Sequence, residues 1–281
     1  MTSFPIRFGI QTPQQHARWE DLLALWQDID DLGYDSAWVF DHFLPIFSDP
    51  TGPCLEAWSA LAALAMATRR VRLGVMVTGN TYRHPAVLAK MAATVDIISG
   101  GRLIFGLGAG WFELEHRQYG IQFHTTAGRL RRLDECLESI KLLWTQERAN
   151  FNGKHFTLND ASFNPKPLQK PHPVILIGAS GENIALRIVA KHAQMWNSFG
   201  SPEVFRSKIR RLEEHCRHIG RDPATVEKSV LLGETFALNN ARRQIDAYAA
   251  AGVTHIVFSV GPAERDWVHS FAKGVIPGYR V

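Results

Sequence analysis

Cysteine is scarce in this chain: three in 281 residues, Cys54, Cys136 and Cys216, with no CxxC spacing. An odd number set so far apart excludes a disulfide scaffold and a structural zinc site, and suits a reducing compartment. No apolar run approaches the roughly 18 residues that span a bilayer, so no membrane partner is expected. The amino terminus runs from Met1 to Ile10 straight into a strand pattern, without a charged leader and apolar region, and a cytoplasmic location is expected. Neither sign of charge dominates: 31 Lys and Arg face 27 Asp and Glu, a formal net charge of +4. The densest basic stretch, Arg129-Leu130-Arg131-Arg132, reads as a solvated helix face. A nucleic-acid partner has no support from this balance, whereas a small anionic ligand is compatible with it. GxSxG, HExxH and P-loop motifs are absent. His215, Cys216 and His218 lie along one helix, so no metal is expected.

Hydrophobic residues, at 46% of the chain, suffice for a sizeable core and exclude disordered and fibrous classes. Short β-rich runs alternate with amphipathic helical patterns throughout, the signature of a parallel sheet of βα units. Eight strands are predicted at about 5–11, 36–41, 71–78, 102–108, 174–178, 194–199, 228–236 and 254–260. A first helix over about 18–32 carries Trp19, Leu22, Leu23, Trp26 and Ile29 at three- and four-residue spacing and stops at Gly33. Residues 146–173 break the rhythm, with Asn152-Gly153 as a hairpin signal and Pro165, Pro167, Pro171 and Pro173 as an extended arm. The expected fold is a single-domain (β/α)8 TIM barrel over 1–281, with this short insertion before strand five. Length alone fits, since such barrels run to about 250 residues.

A barrel places the carboxyl ends of its strands around one mouth, so the residues there are the candidates. Asp41-His42 ends strand two; the imidazole could move a proton while Asp41 fixes its orientation or contacts a cofactor. The bland alternative is a loop-starting acid beside an exposed ring. Gly106-Leu107-Gly108-Ala109-Gly110 ends strand four and permits either close approach to a planar ring or merely a tight turn. Ile177-Gly178-Ala179-Ser180-Gly181-Glu182-Asn183 joins strand five to a helix beginning near Glu182. Amides at such a turn can hold a phosphate, although an ordinary helix start needs the same small polar residues. Trp111, Trp196 and Phe199 could stack on a ring or belong to the core. Glu234 and Thr235 could line the pocket, His84 could be catalytic or merely begin a helix, and Lys166 and Lys170 could screen an acidic tail or stay solvated.

Together these segments resemble the luciferase-like monooxygenase superfamily, specifically its deazaflavin (coenzyme F420) dependent branch. The resemblance is densest in Thr78-Gly79-Asn80-Thr81-Tyr82-Arg83-His84-Pro85-Ala86, Ile98-Ser99-Gly100-Gly101-Arg102, Gly106 to Trp111, and Asn164-Pro165-Lys166-Pro167 on to Gly178. It implies a homodimeric oxidoreductase that passes a hydride between the deazaflavin and a small organic substrate. His42 and Asp41 match the pair that faces the reacting ring. Met76-Val77 matches a step that is a cis non-prolyl peptide in many relatives, with Met76, Val77 and Thr78 behind the ring. Gly108, Ala109, Gly110 and Trp111 would border the ring; Gly178, Ala179, Ser180 and Gly181 would receive the phosphate. Two departures stand out: sugar-phosphate dehydrogenases of the family carry an acid where this chain has Trp111, and a tryptophan where it has Ile46. These changes point to a more apolar substrate. The alternatives are an FMN-dependent monooxygenase that uses oxygen and a non-catalytic flavin-binding or structural barrel.

Overall fold

A computed structural model describes residues 6–233 and 238–280. Eight parallel strands form its ring: β1 (Arg7–Gln11), β2 (Ser36–Val39), β3 (Arg72–Val75), β4 (Leu103–Gly108), β5 (Val174–Gly178), β6 (Met195–Ser198), β7 (Glu227–Leu232) and β8 (His255–Ser259). Each pairs with its neighbours in chain order, and the ring closes where β8 meets β1, from Arg7 opposite His255 to Gln11 opposite Ser259. The predicted barrel is therefore present. Helices α1 (Trp19–Asp31), α2 (Ala57–Ala67), α3 (Pro85–Ile98), α4 (Glu113–Gln118), α5 (Thr126–Thr145), α6 (Ala185–His192), α7 (Pro202–His218), α8 (Leu238–Ala250) and α9 (Arg265–Gly274) supply the outer layer and its connections.

Side chains pointing into the ring form one small cluster of Trp38, Met76, Ile104, Leu176, Met195 and Val257. The large core lies outside the ring, where strand residues such as Phe105 and Trp196 meet Trp26, Trp58, Trp144 and Phe271 of the helices. Fully burying each large apolar side chain contributes about 1.5–3 kcal/mol, so the two-sided apolar strands select this layered ring over a half-exposed sheet. No described helix is long and apolar enough to cross a membrane.

Several boundaries differ from the sequence reading, each for a local reason. The third strand, expected over 71–78, stops at Val75 because the Met76–Val77 peptide is cis; Thr78–Gly79 then rejoins the sheet opposite Leu107 and Gly108. The Gln11 side-chain amide donates to the Met76 carbonyl at 2.8 Å, tying this step to β1. The helix expected near Glu182 begins at Ala185, after a turn over 182–184. In the insertion, Arg148–Asn152 pairs with Thr157–Ser162, but the turn spans four residues instead of two. Glu135 of α5 accepts from the amides of Lys154 and His155 and holds that turn against the barrel. A side chain at Gly153 would strike Glu135, so glycine there serves close approach. Residue 5 of the first predicted strand, and Glu234 and Thr235 of the seventh, lie outside the described residues.

The Ile98-to-Arg102 motif has a structural explanation. Gly100 and Gly101 turn the chain with φ of +68° and +84°, a conformation that glycine adopts without steric cost. Arg102 then donates to the carbonyls of Ser99, Val71, Ala65 and Thr68 and to the Thr68 hydroxyl, at 2.6–3.0 Å. One guanidinium thus gathers the end of α2, the end of α3 and the amino end of β3.

Candidate active site

The loops at the carboxyl ends of the strands are assembled by polar side chains that imitate a β-ladder. Gln14, after β1, accepts from the Phe40 amide at 3.2 Å and donates to the Phe40 carbonyl at 2.5 Å. Gln15 repeats the pattern on Ile46, at 2.7 and 3.1 Å. Buried amides and carbonyls need such partners. The segment carrying Asp41 and His42 is thereby fixed although it has left the sheet.

His42 is nearly buried, at 8% exposure, and its ring is met edge-on by Phe40, Trp111 and Phe112 at 5.2–5.7 Å. Its Nδ1 lies 2.8 Å from Glu115 Oε1. Glu115 is fully buried; it also accepts from the Tyr82 hydroxyl and, at 2.8 Å through Oε2, from the Phe43 amide. Burial alone would raise the Glu115 carboxyl, but the hydrogen bonds from His42, Tyr82 and Phe43 outweigh it and hold the group below its ordinary range. An ionised carboxylate only accepts, so Nδ1 carries a hydrogen and Nε2 is the ring nitrogen left to give or take a proton. Among the described residues Nε2 has no hydrogen-bond partner.

Glu115, and not Asp41, therefore orients the imidazole. Asp41 is buried and engaged by Arg83 through both oxygens, at 2.6 and 3.0 Å. Burial raises the Asp41 carboxyl, and the Arg83 guanidinium opposes it. Arg83 continues to Glu56 at 2.6 Å, and Glu56 caps α2 through the amides of Trp58 and Ser59. The sequence reading missed Glu115 together with the six-residue α4 that carries it. It also missed Tyr82 and His116, whose Nδ1 faces the Phe112 carbonyl at 2.7 Å and whose Nε2 meets the Thr81 hydroxyl at 2.7 Å.

The glycines of β4 and β5 make room for the chain itself. A Cβ at Gly106 would lie 1.9 Å from the Val75 carbonyl oxygen; Cβ atoms at Gly108 and Gly178 would lie 2.7 and 2.8 Å from a Val77 methyl. Val77, half-buried beyond the cis peptide, sits over Gly108 and Gly178, which face each other in the sheet. Gly110 has φ of +77° and passes close to Thr81, while Ala109 is half-buried beside it. Met76 belongs to the barrel interior. Thr78 is buried with its hydroxyl accepting from the Trp58 indole at 3.0 Å, which turns it towards α2. Trp111 is half-exposed and stacked on Phe47, which is 92% exposed.

In the turn after β5, Ala179 has both backbone groups committed: its amide to the Asn197 carbonyl at 3.0 Å, its carbonyl to the Trp196 indole at 2.8 Å. The exposed residues Ser180 and Gly181, and Glu182 and Asn183 beyond them, have amides with no partner among the described residues. Such a run of free amides before a helix is a cradle for an anion. Beside it lies a group that sequence reasoning passed over. Lys208 of α7 is buried, 3.3 Å from the Ser198 hydroxyl, with its ammonium pushed down by desolvation and Glu182 as its charge partner. Its signal was a lysine on the apolar stripe of Phe205, Ile209, Leu212 and Cys216.

Other candidates take structural roles. Trp196 is core, and Phe199 is exposed beside Lys208. His84 caps α3 through the Ala86 amide. Lys166 binds the carbonyls of Leu143 and Gln146, and Lys170 that of Pro167. His215 donates through Nε2 to the Glu182 carbonyl at 2.9 Å. The fold does bring Asp134, Glu138 and His192 together with ligand atoms within 4.8 Å of one another, but the Lys191 ammonium pairs with both carboxylates and takes the place of a cation.

The profile of the luciferase-like monooxygenase family matches residues 1–273. The chain belongs to that family. It is 31% identical over 210 residues to an F420-dependent glucose-6-phosphate dehydrogenase of Microbacterium testaceum, covering 74% of this chain and 61% of the relative. An FMNH(2)-dependent dimethylsulfone monooxygenase of Pseudomonas putida is 35% identical over 134 residues, covering 48% of this chain and 36% of the relative. The chain spans between 52% and 61% of the length of the first three such dehydrogenases. Among solved structures, an F420-dependent secondary alcohol dehydrogenase superposes with a TM-score of 0.88 at 19% identity, covering 99% of this chain and all of that one. At that identity the likeness speaks for the fold alone.

Proposed function

We propose that this chain is an oxidoreductase that holds coenzyme F420 and transfers hydride between it and a small organic substrate. The observation that carries the reading is the unpartnered Nε2 of His42, with Nδ1 fixed on ionised Glu115, at the same barrel mouth as the free amides of residues 180–183. The residues fit a tricyclic ring that bears a phosphate. Ser180 and Gly181, with Glu182 and Asn183, would receive the phosphate, and Lys208 would balance its charge. Val77, backed by Gly108 and Gly178, would support the ring, with Ala109, Gly110 and Trp111 at its border. A bound reduced deazaflavin supplies hydride; the redox chemistry belongs to the cofactor. His42 then gives the proton that a carbonyl oxygen gains on reduction, or takes the one that an alcohol loses. Asp41 acts through Arg83, holding the loops that shape the mouth.

Trp111, Phe112 and Phe47 make the wall beside His42 aromatic, and Arg83 is already committed to two carboxylates. An apolar ketone, enone or secondary alcohol suits this wall better than a sugar phosphate. Met66, Val87, Ile97 and Ile98 are exposed on neighbouring helices α2 and α3 and offer an apolar face for a second copy. The working form is then a cytoplasmic homodimer of single-domain barrels.

Anaerobic mixing of the enzyme and reduced deazaflavin with ketones and enones tests the reaction. Oxidised deazaflavin should accumulate without oxygen. Product formation only with reduced FMN and oxygen would replace this reading by monooxygenation, the course that the similarity to the dimethylsulfone enzyme favours.

A further inference from the structure

At the opposite end of the barrel a cavity of about 490 Å³ opens among the amino ends of the strands. Four arginines line it, Arg7, Arg70, Arg72 and Arg280, against two carboxylates, Asp35 and Glu227. Four positive and two negative charges leave an excess of two, before His255 is counted. Three of the arginines are partly occupied. Arg7 reaches Glu227 at 3.0 Å, Arg280 clasps Asp35 at 2.9 Å, and Arg70 donates to the Asp30 carbonyl. Arg72 makes no hydrogen bond through its guanidinium among the described residues, although burial has stripped much of its water. Its guanidinium faces the cavity, with Glu227 and Asp96 acting on it only through their charge, and its donors are open to an acceptor that enters there. His255 stands beside it. Its Nε2 faces the Ser36 hydroxyl at 2.8 Å, a hydroxyl that also accepts from the Trp38 indole, and its other ring nitrogen, Nδ1, is turned towards Glu227. That Nδ1 lies 3.4 Å from Glu227 and outside good hydrogen-bonding geometry.

Residues at this end of a barrel ordinarily serve stability. A purely stabilising network would close its ion pairs and fill the space; here the most buried arginine is unpaired and the cavity is large enough for a small metabolite. We propose that this amino-terminal cavity is a second binding site, for a small polyanion with at least two phosphate or carboxylate groups, with Arg72 as its inner anchor and Arg7 and Arg280 at its rim. Guanidinium forks match both oxyanion types. The proposal does not depend on the redox reading, since the site shares no residue with the mouth that holds His42.

Calorimetric titration of the full chain with inorganic pyrophosphate, and separately with citrate, at low ionic strength tests it. Saturable binding of either anion is expected, weakened at least tenfold by Arg72→Gln and by only a small part of that by Lys208→Gln, whose effect is confined to the separate cradle after β5. If Arg72→Gln does not fold, Arg280→Gln should weaken binding at least threefold. The citrate and pyrophosphate arms tell carboxylate from phosphate recognition. Absence of saturable binding, heats reproduced by potassium chloride at equal ionic strength, or a loss caused by Lys208→Gln as large as that by Arg72→Gln would each overturn the proposal.

Discussion

At the scale of single residues, the site turns on one imidazole and the carboxylate behind it. His42→Ala removes the proton carrier and should lower turnover by about 10²–10⁴-fold, with deazaflavin affinity changed only a few-fold. Steady-state rates beside a binding titration check this, and unchanged turnover would remove the assignment. Glu115→Gln keeps an acceptor for Nδ1 but abolishes the charge, and should cost roughly 10–100-fold in kcat, as the loss of an orienting partner does elsewhere. Conversely, Asp41→Asn should act chiefly on stability, because Asp41 meets Arg83 instead of the imidazole. The Asp41-His42 pair was legible in the sequence because strand ends in a barrel converge. Its working partner was not: Glu115 lies 73 positions away, in a helix of six residues whose charged pattern resembles a solvent face.

At the scale of elements, the packing of Val77 over the glycines of β4 and β5 should appear as coupling. Gly108→Ala should destabilise by about 1–3 kcal/mol through overpacking, and the double variant with Val77→Ala should recover much of that loss. Urea unfolding of the four proteins of this cycle measures it; strict additivity would show that the two do not press on each other. The α5–α6 contact gives a pH signature. The hydrogen bond from His192, then that from Lys191, hold the Asp134 carboxyl down at about 2, below the ordinary 3.8. A depressed carboxyl stabilises the fold above its unfolded pKa and loses that contribution as pH falls through the folded value. The stability gap between wild type and Asp134→Asn should thus be level above about pH 5 and close between about pH 4 and 2. A gap that persists at about pH 2 would contradict this. Strand number and helix faces were legible from periodicity. The break after Val75 was not legible from periodicity, because the apolar pattern of residues 71–78 runs on unbroken, but the cis Met76–Val77 step itself was expected from the family resemblance and is present.

At the scale of the whole molecule, motifs that mark the family divide between its two ends. Ile98-to-Arg102 builds the frame: Arg102→Met strands several carbonyls and should cost about 2–4 kcal/mol in unfolding free energy while sparing cofactor affinity. Denaturation and ligand titration of this one variant separate the two effects. The Thr78-to-Ala86 motif instead builds the mouth, through Tyr82 on Glu115 and Arg83 on Asp41. Sequence alone placed both on a barrel, because βα alternation dictates the ring. It could not tell frame from mouth, since an arginine that gathers carbonyls and one that clasps a carboxylate look alike until the chain is folded.

The most direct test of the account is a pair of binding titrations of the apo-protein, one with the deazaflavin coenzyme and one with FMN, each oxidised and reduced. Micromolar or tighter binding of the deazaflavin, with FMN at least tenfold weaker, is the predicted result, and it should fall sharply in Lys208→Gln. Preference for FMN, or binding of neither, would contradict the assignment of the mouth between His42 and the turn after β5 to a deazaflavin.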